Sequence, residues 1–175
     1  DGDSVGGTVE VFVTGVPAGL GEPWFDTMEG ELSKILFSVP AVKGVEFGDG
    51  FSLAAMRGSE ANDPFALQGG RVVTLTNHSG GIGGGITNGM PLRFSVAIKP
   101  TPSIFRPQRT VDPIAMTEEE LTVHGRHDPT VVHRALPVLR AVCAFVLCDF
   151  LVRRYGTDSL VGGRFAALAK SEGCL

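Results

Sequence analysis

The sequence predicts an α+β fold with a mostly antiparallel sheet packed on buried helices, and three observations carry that reading. A period-two strand precedes an amphipathic helix; several strand candidates then follow one another; one long apolar helix closes the pattern. A doubly wound parallel sheet would need strand and helix to alternate throughout.

Across residues 5–16, Val9, Val11 and Val13 alternate with Thr8, Glu10 and Thr14, the spacing of a half-buried strand that ends at Pro17 and Gly19. Pro23 opens a helix in which Trp24, Met28, Leu32, Ile35, Leu36 and Val39 fall at steps of three or four. Asp26, Glu29, Glu31 and Lys34 occupy its other face, and Pro40 stops it. Residues 42–47 alternate again before the turn Gly48-Asp49-Gly50. Residues 56–70 mix charge, Asn-Asp-Pro and paired glycines, and read as a long polar loop. Residues 71–77 and 91–98 are the next strands, separated by the glycine-rich stretch 80–89. Pro100, Pro102, Pro107 and Pro113 predict an ordered, extended segment over residues 99–117, and residues 120–125 a short strand. The last helix is expected to start at Pro137, with Asp128 and Pro129 as the alternative cap and first position, and to end near Tyr155 and Gly156. Leu139, Val142, Ala144, Phe145, Leu147, Phe150 and Leu151 surround it, which predicts a central, buried helix. Residues 157–175 are too weakly patterned to assign and are set apart as a tail behind a unit of residues 1–156.

The chain has 175 residues, 43% of them hydrophobic and 19% charged, enough for a core without disulfides or a structural metal. A net charge of −4 argues against neutralising a nucleic-acid backbone or an anionic membrane. Asp149 breaks the longest apolar run, residues 141–152, short of a membrane span. Three cysteines, two of them inside the apolar helix, suit reduced core thiols and a reducing, cytoplasmic compartment. Glycine is the outlier, 24 of 175 residues and roughly twice the usual share, as expected where many turns or close backbone approaches are needed. Asp1 opens an acidic, glycine-rich phrase with no initiator Met, so the chain is expected to be cut from a longer one.

Four phrases offer chemistry, each beside a plainer use. The stretch from Asn77 to Gly89 could present backbone N–H groups to a phosphate or flavin, or could be a surface turn; it lacks Gly-Lys-Ser/Thr and GxGxxG. His124-Gly125-Arg126-His127-Asp128-Pro129 could hold an anion on Arg126 and a proton on Asp128, or Asp128 could simply cap a helix. Lys99-Pro100-Thr101-Pro102-Ser103 suits a phosphate contact or a proline turn. Arg57, Glu60, Asn62 and Asp63 suit a solvated loop. His78, His124, His127 and His133 have no zinc spacing, so no metal site is expected. Composition and spacing thus reach an anion-binding α+β domain.

Five phrases in register go further: PAVKGVEFGDGF from Pro40, MRGSEANDP from Met56, the glycine run 80–89, KPTPSI from Lys99, and GRHDP around Arg126. In this order they resemble the C-terminal half of the chorismate synthases, and the likeness extends back through DSVGG and VPAGLGEPWFD. The resemblance implies half of a β-α-β sandwich with internal pseudo-symmetry, assembled as a homotetramer. It implies a lyase that makes chorismate from 5-enolpyruvylshikimate 3-phosphate by 1,4-anti elimination of phosphate, in the shikimate pathway toward aromatic amino acids. The resemblance also implies a requirement for reduced FMN, without net redox change.

Carried over by position, the resemblance makes Pro40, Ala41, Gly84, Lys99, Pro100, Thr101, Pro102, Ser103 and Arg126 the flavin contacts, and gives Asp128 a supporting catalytic role in proton management. Pro102 stands where the family commonly has Ser, and Gly83 where a larger apolar residue is usual. The family's N-terminal GESHG phrase, second catalytic His and arginine cluster do not occur in this sequence, and none of its four histidines replaces them. The expectation is a chain that needs its N-terminal half for activity, and whose exposed half-core drives self-association. A non-catalytic flavin- or phosphate-binding module is the alternative.

Overall fold

The computed structural model describes residues 2–157; the expected tail lies, beyond Thr157, outside the described residues. Strand β1 (Gly7–Val13) leads through a long connection to helix α1 (Met28–Ser38) and strand β2 (Val42–Phe47). A 3-10 turn (Gly50–Ala55) and a single helical turn α2 (Gly58–Ala61) precede two hairpins, β3 (Phe65–Gln68) with β4 (Arg71–Thr74), and β5 (Ile82–Gly83) with β6 (Ile86–Thr87). Strand β7 (Leu92–Ile98), the hairpin β8 (Gln108–Asp112) with β9 (Thr117–Leu121), and helix α3 (Val132–Tyr155) complete the order.

The central sheet runs β1-β7-β2, with β7 antiparallel to both neighbours. Period-two alternation makes β7 its middle: Leu92, Phe94, Val96 and Ile98 are buried, while Arg93, Ser95 and Ala97 take the other face. Helix α1 lays Met28, Leu32 and Leu36, all fully buried, on this core. Helix α3 adds Leu139, Cys143, Val146 and Phe150, again at steps of three or four. Every strand pair among the described residues is antiparallel and the fold is α+β, as predicted.

Several local expectations are corrected. Helix α1 begins at Met28 behind the N-cap Thr27, whose Oγ1 accepts from Gly30 N at 3.0 Å; the capping hydroxyl rather than Pro23 sets the start. Trp24 therefore leaves the helix face and is 87% exposed at positive φ. The 56–70 loop contains α2 and β3, and the proline-rich segment supplies β8, whose partner β9 lies earlier than the expected short strand. Helix α3 starts at Val132, five residues before Pro137, which sits inside it. It is not central: one stripe is buried, and Phe145 remains 69% exposed, because the described residues pack on that stripe alone. Its length and mean hydropathy reach those of a bilayer span, since Arg140 and Asp149 interrupt the apolar run without ending it. Cys143 is a core thiol, whereas Cys148 is exposed.

Candidate functional site: the end of the sheet at Ile98

The end of the sheet at Ile98 gathers most of the predicted positions. Ile98 pairs with Gly7 on one side and Val42 on the other, so the residues beyond these strands converge. Lys99 N donates to Ala41 O at 2.9 Å, which fastens Pro40 and Ala41 to the Lys99 loop. Ala41 makes this contact at φ +71°, a left-handed conformation that costs a non-glycine residue about 1 kcal/mol. The segment before β1 threads between two loops. Ser4 Oγ donates to Thr101 O at 2.6 Å and Val5 N donates to Pro129 O at 2.9 Å. A Cβ on Gly6 would overlap Ile98 O and press on Pro100, so the close passage here requires glycine.

Within this cluster Pro102 O accepts from Gln108 Nε2 at 3.2 Å, and the Phe105 and His127 rings meet edge-on at 4.7 Å. Lys99 and Arg126 are exposed and form no ion pair among the described residues. Ser103 is half-buried. Thr101 Oγ1 is buried and has no hydrogen-bond partner, two residues along the chain from Lys99. Asp128 caps nothing: the N-cap of α3 is Val131, and Asp128 Oδ2 instead accepts from Arg134 Nη1 at 2.7 Å. The cap reading fails because the helix starts three residues further on.

Gly84 does not join them. It occupies the β5–β6 turn, whose neighbour Gly85 accepts from Met28 N at 2.9 Å, over the N-terminus of α1. That is the Leu92 end of β7, where Arg93 N donates to Gly80 O at 3.0 Å, and the seven residues of β7 separate the two ends by about 20 Å.

The Gly84 end is braced by residues that sequence reasoning left as a loop or set aside. Asp49 Oδ2 lies 2.5 Å from His78 Nδ1, and Asp49 Oδ1 also takes Arg93 Nη2. The His78 hydrogen bond is the chief cause of an Asp49 pKa below the ordinary value; burial opposes it and Arg93 reinforces it. Burial pushes the Asp63 carboxyl up, but Thr76 Oγ1 at 2.6 Å, Ser79 N at 2.9 Å and His78 N at 2.8 Å outweigh it and hold its pKa down. A Cβ on Gly48 would overlap His78 O, so the two turns touch through backbone. The Asn-Asp-Pro of the polar loop was the available signal, since Asp before Pro favours such turns.

Fold and site together define an α+β protein with helices on one face of an antiparallel sheet and a cationic, hydroxyl-lined cluster at one sheet end. Residues 1–152 match the family model described as chorismate synthase. A chorismate synthase of Thermococcus gammatolerans is 60% identical over 160 residues, which are 91% of this chain and 45% of that protein. One of Pyrococcus abyssi is 56% identical over 154 residues, 88% of this chain and 43% of that protein. A crystal structure of chorismate synthase superposes with a TM-score of 0.76 at 33% identity, covering 98% of this chain and 45% of that one. The chain belongs to the chorismate synthase family, and it spans a little under half the length of these relatives.

Proposed function

We propose that this chain is the flavin-holding portion of a chorismate synthase, which acts on 5-enolpyruvylshikimate 3-phosphate and releases phosphate to give chorismate. The observation that carries the reading is the buried, unpartnered hydroxyl of Thr101, two residues along the chain from Lys99, in a chain of this family. Such a hydroxyl is costly unless a ligand satisfies it. Lys99, Thr101 and Ser103 suit the phosphate and ribityl hydroxyls of FMN, and Arg126 adds a second cation. The rigid backbone of Pro100 and Pro102 keeps these donors in one place, and the hydrogen bond from Lys99 N to Ala41 O fastens the Pro40–Ala41 turn to the loop. When bound, reduced FMN supplies electron density that helps the allylic phosphate leave. Asp128, with Oδ2 held by Arg134, keeps a second carboxylate oxygen for orienting a proton near the ring.

The chain alone is inactive on this reading, because the family's two catalytic histidines and its arginine cluster have no counterpart in this sequence. The family's cytoplasmic setting and homotetramer belong to the same proposal. The test is to assay chorismate formation from the phosphate ester with reduced FMN, using this chain and the full-length protein side by side. Turnover by the full-length protein with none by this chain is expected. Enzyme-like turnover by this chain would overturn the division of labour, and none by either would overturn the lyase reading. Saturable quenching of FMN fluorescence without any turnover would favour the non-catalytic module.

A further inference from the structure

We propose that Asp49, His78 and Arg93 are positioning residues, which hold one limb of the glycine turn 80–89 so that its exposed tip at Gly83 and Gly84 meets the cofactor in a fixed shape. The inference rests on the flavin reading above and deepens it.

The turn does not hold its own shape. Gly80, Gly81, Gly84, Gly85 and Gly89 all sit at positive φ, and glycine loses more backbone freedom on ordering than any other residue. Strands β5 and β6 pair over two residues only, and a short two-stranded hairpin is marginal without outside support. At the tip the backbone is bare: a Cβ on Gly83 or Gly84 would meet nothing within 4 Å, and both residues are exposed.

The two limbs are held differently. The returning limb is tied by neutral groups, with Thr87 Oγ1 donating to Pro17 O at 2.7 Å and Met28 N donating to Gly85 O at 2.9 Å. The outgoing limb is tied by charge. Asp63 accepts from His78 N and Ser79 N, Asp49 N donates to His78 O at 2.8 Å, and the Asp49 carboxylate binds the His78 ring on one oxygen and Arg93 on the other. The Arg93 backbone joins both neighbouring turns, its N–H donating to Gly80 O at 3.0 Å and its carbonyl accepting from Gly48 N at 2.8 Å. Apolar packing would secure this limb as well as paired charges do; what paired charges add is one fixed geometry.

Two features point to a ligand as well as to folding. Asn77 Oδ1 and Arg93 Nε, an acceptor and a donor at this end of the sheet, are buried and have no partner among the described residues, and such groups are few in folded proteins. A cleft of about 430 Å³ opens beside the outgoing limb, walled by Asn62, Asp63, Ser79, Gly83 and Asn88, a volume within the range of small-molecule sites. A turn held rigid before the ligand arrives avoids the ordering cost at binding, which is what the charged brace contributes.

The test uses the full-length protein and combines FMN fluorescence titration, a thermal melt and hydrogen exchange. His78→Ala is expected to weaken FMN binding about tenfold and to speed exchange over residues 79–89 while residues 92–98 stay protected. His78→Asn, whose Nδ2 keeps a donor where Nδ1 stands, should restore most of the affinity. Asp49→Asn, a milder change, should weaken binding in the same direction. Val146→Ala, in the buried stripe of α3, should lower the melting temperature and leave the titration unmoved. A His78→Ala protein that melts lower yet binds FMN like the parent, an Asn variant no better than the Ala one, or an equal loss of affinity from Val146→Ala each overturns the proposal and leaves the flavin reading standing. A parent that binds no FMN overturns both. If His78→Ala does not fold, Asp49→Asn decides in its place.

Discussion

At the scale of single residues, burial with or without a partner makes opposite predictions at two sites. Thr101 Oγ1 is buried and unpartnered, so Thr101→Val removes a penalty rather than a bond. In the full-length protein it is expected to leave the melting temperature unchanged or slightly raised while weakening FMN binding about tenfold; a fluorescence titration beside a thermal melt reads both. A purely structural Thr101 would leave the titration unmoved. Asp49 is the reverse, a carboxylate held by His78 and Arg93. Its folded-state pKa lies below its ordinary value of 3.8, so its stabilisation is complete above that value and is lost as pH falls through the lower, folded-state one. Asp49→Asn is expected to cost about 1–2 kcal/mol at neutral pH in urea unfolding, with the gap to the parent closing in acid.

At the scale of elements, the two helices are governed by different ends of the same chemistry. Helix α1 depends on its cap: Thr27→Ala removes the acceptor for Gly30 N and should cost about 1 kcal/mol, read as a lower denaturation midpoint. Helix α3 has no side-chain cap and depends on its buried stripe. Desolvation there pushes the Cys143 thiol up to about 11, whereas Cys148 on the same helix is exposed. Thiol labelling of the native chain at mildly alkaline pH should therefore modify Cys148 and spare Cys143. With Cys148 and Cys174 replaced by Ser, labelling should begin only when denaturant opens the core. Rapid native labelling of that variant would mean that α3 does not stay on the sheet.

For the whole molecule, a sheet covered on one face leaves apolar surface that the described elements do not bury. Phe145 and Leu136 on α3, and Phe12 on β1, are exposed although the sequence marks the first as core. The same incompleteness bears on chemistry. The Ile98 end of the sheet gathers Pro40, Ala41 and the Lys99 loop, while Gly84 stands at the far end. On the proposed lyase reading, substrate-binding charge comes from outside these residues, so mixing this chain with a separately produced N-terminal half should restore chorismate formation that neither shows alone. Failure of well-folded halves to complement one another would argue that the two cannot assemble after synthesis.

What the sequence determined by itself was everything set by near neighbours or by long ordered phrases. The alternation of residues 92–98 made β7 a buried strand, the spacing of Met28, Leu32 and Leu36 made α1 amphipathic, and five phrases in register marked the family. Tertiary structure alone decided what depends on distant partners. Asp49 meets His78 and Arg93 across 29 and 44 residues, and Thr101 meets Ser4 across 97. It also decided that Asp128 pairs with Arg134 instead of capping α3, and that α3 buries one stripe although its residues are apolar all round. The physical reason is that periodicity records which face a residue takes along its own element, whereas burial and pairing are set by what the rest of the chain brings to that face.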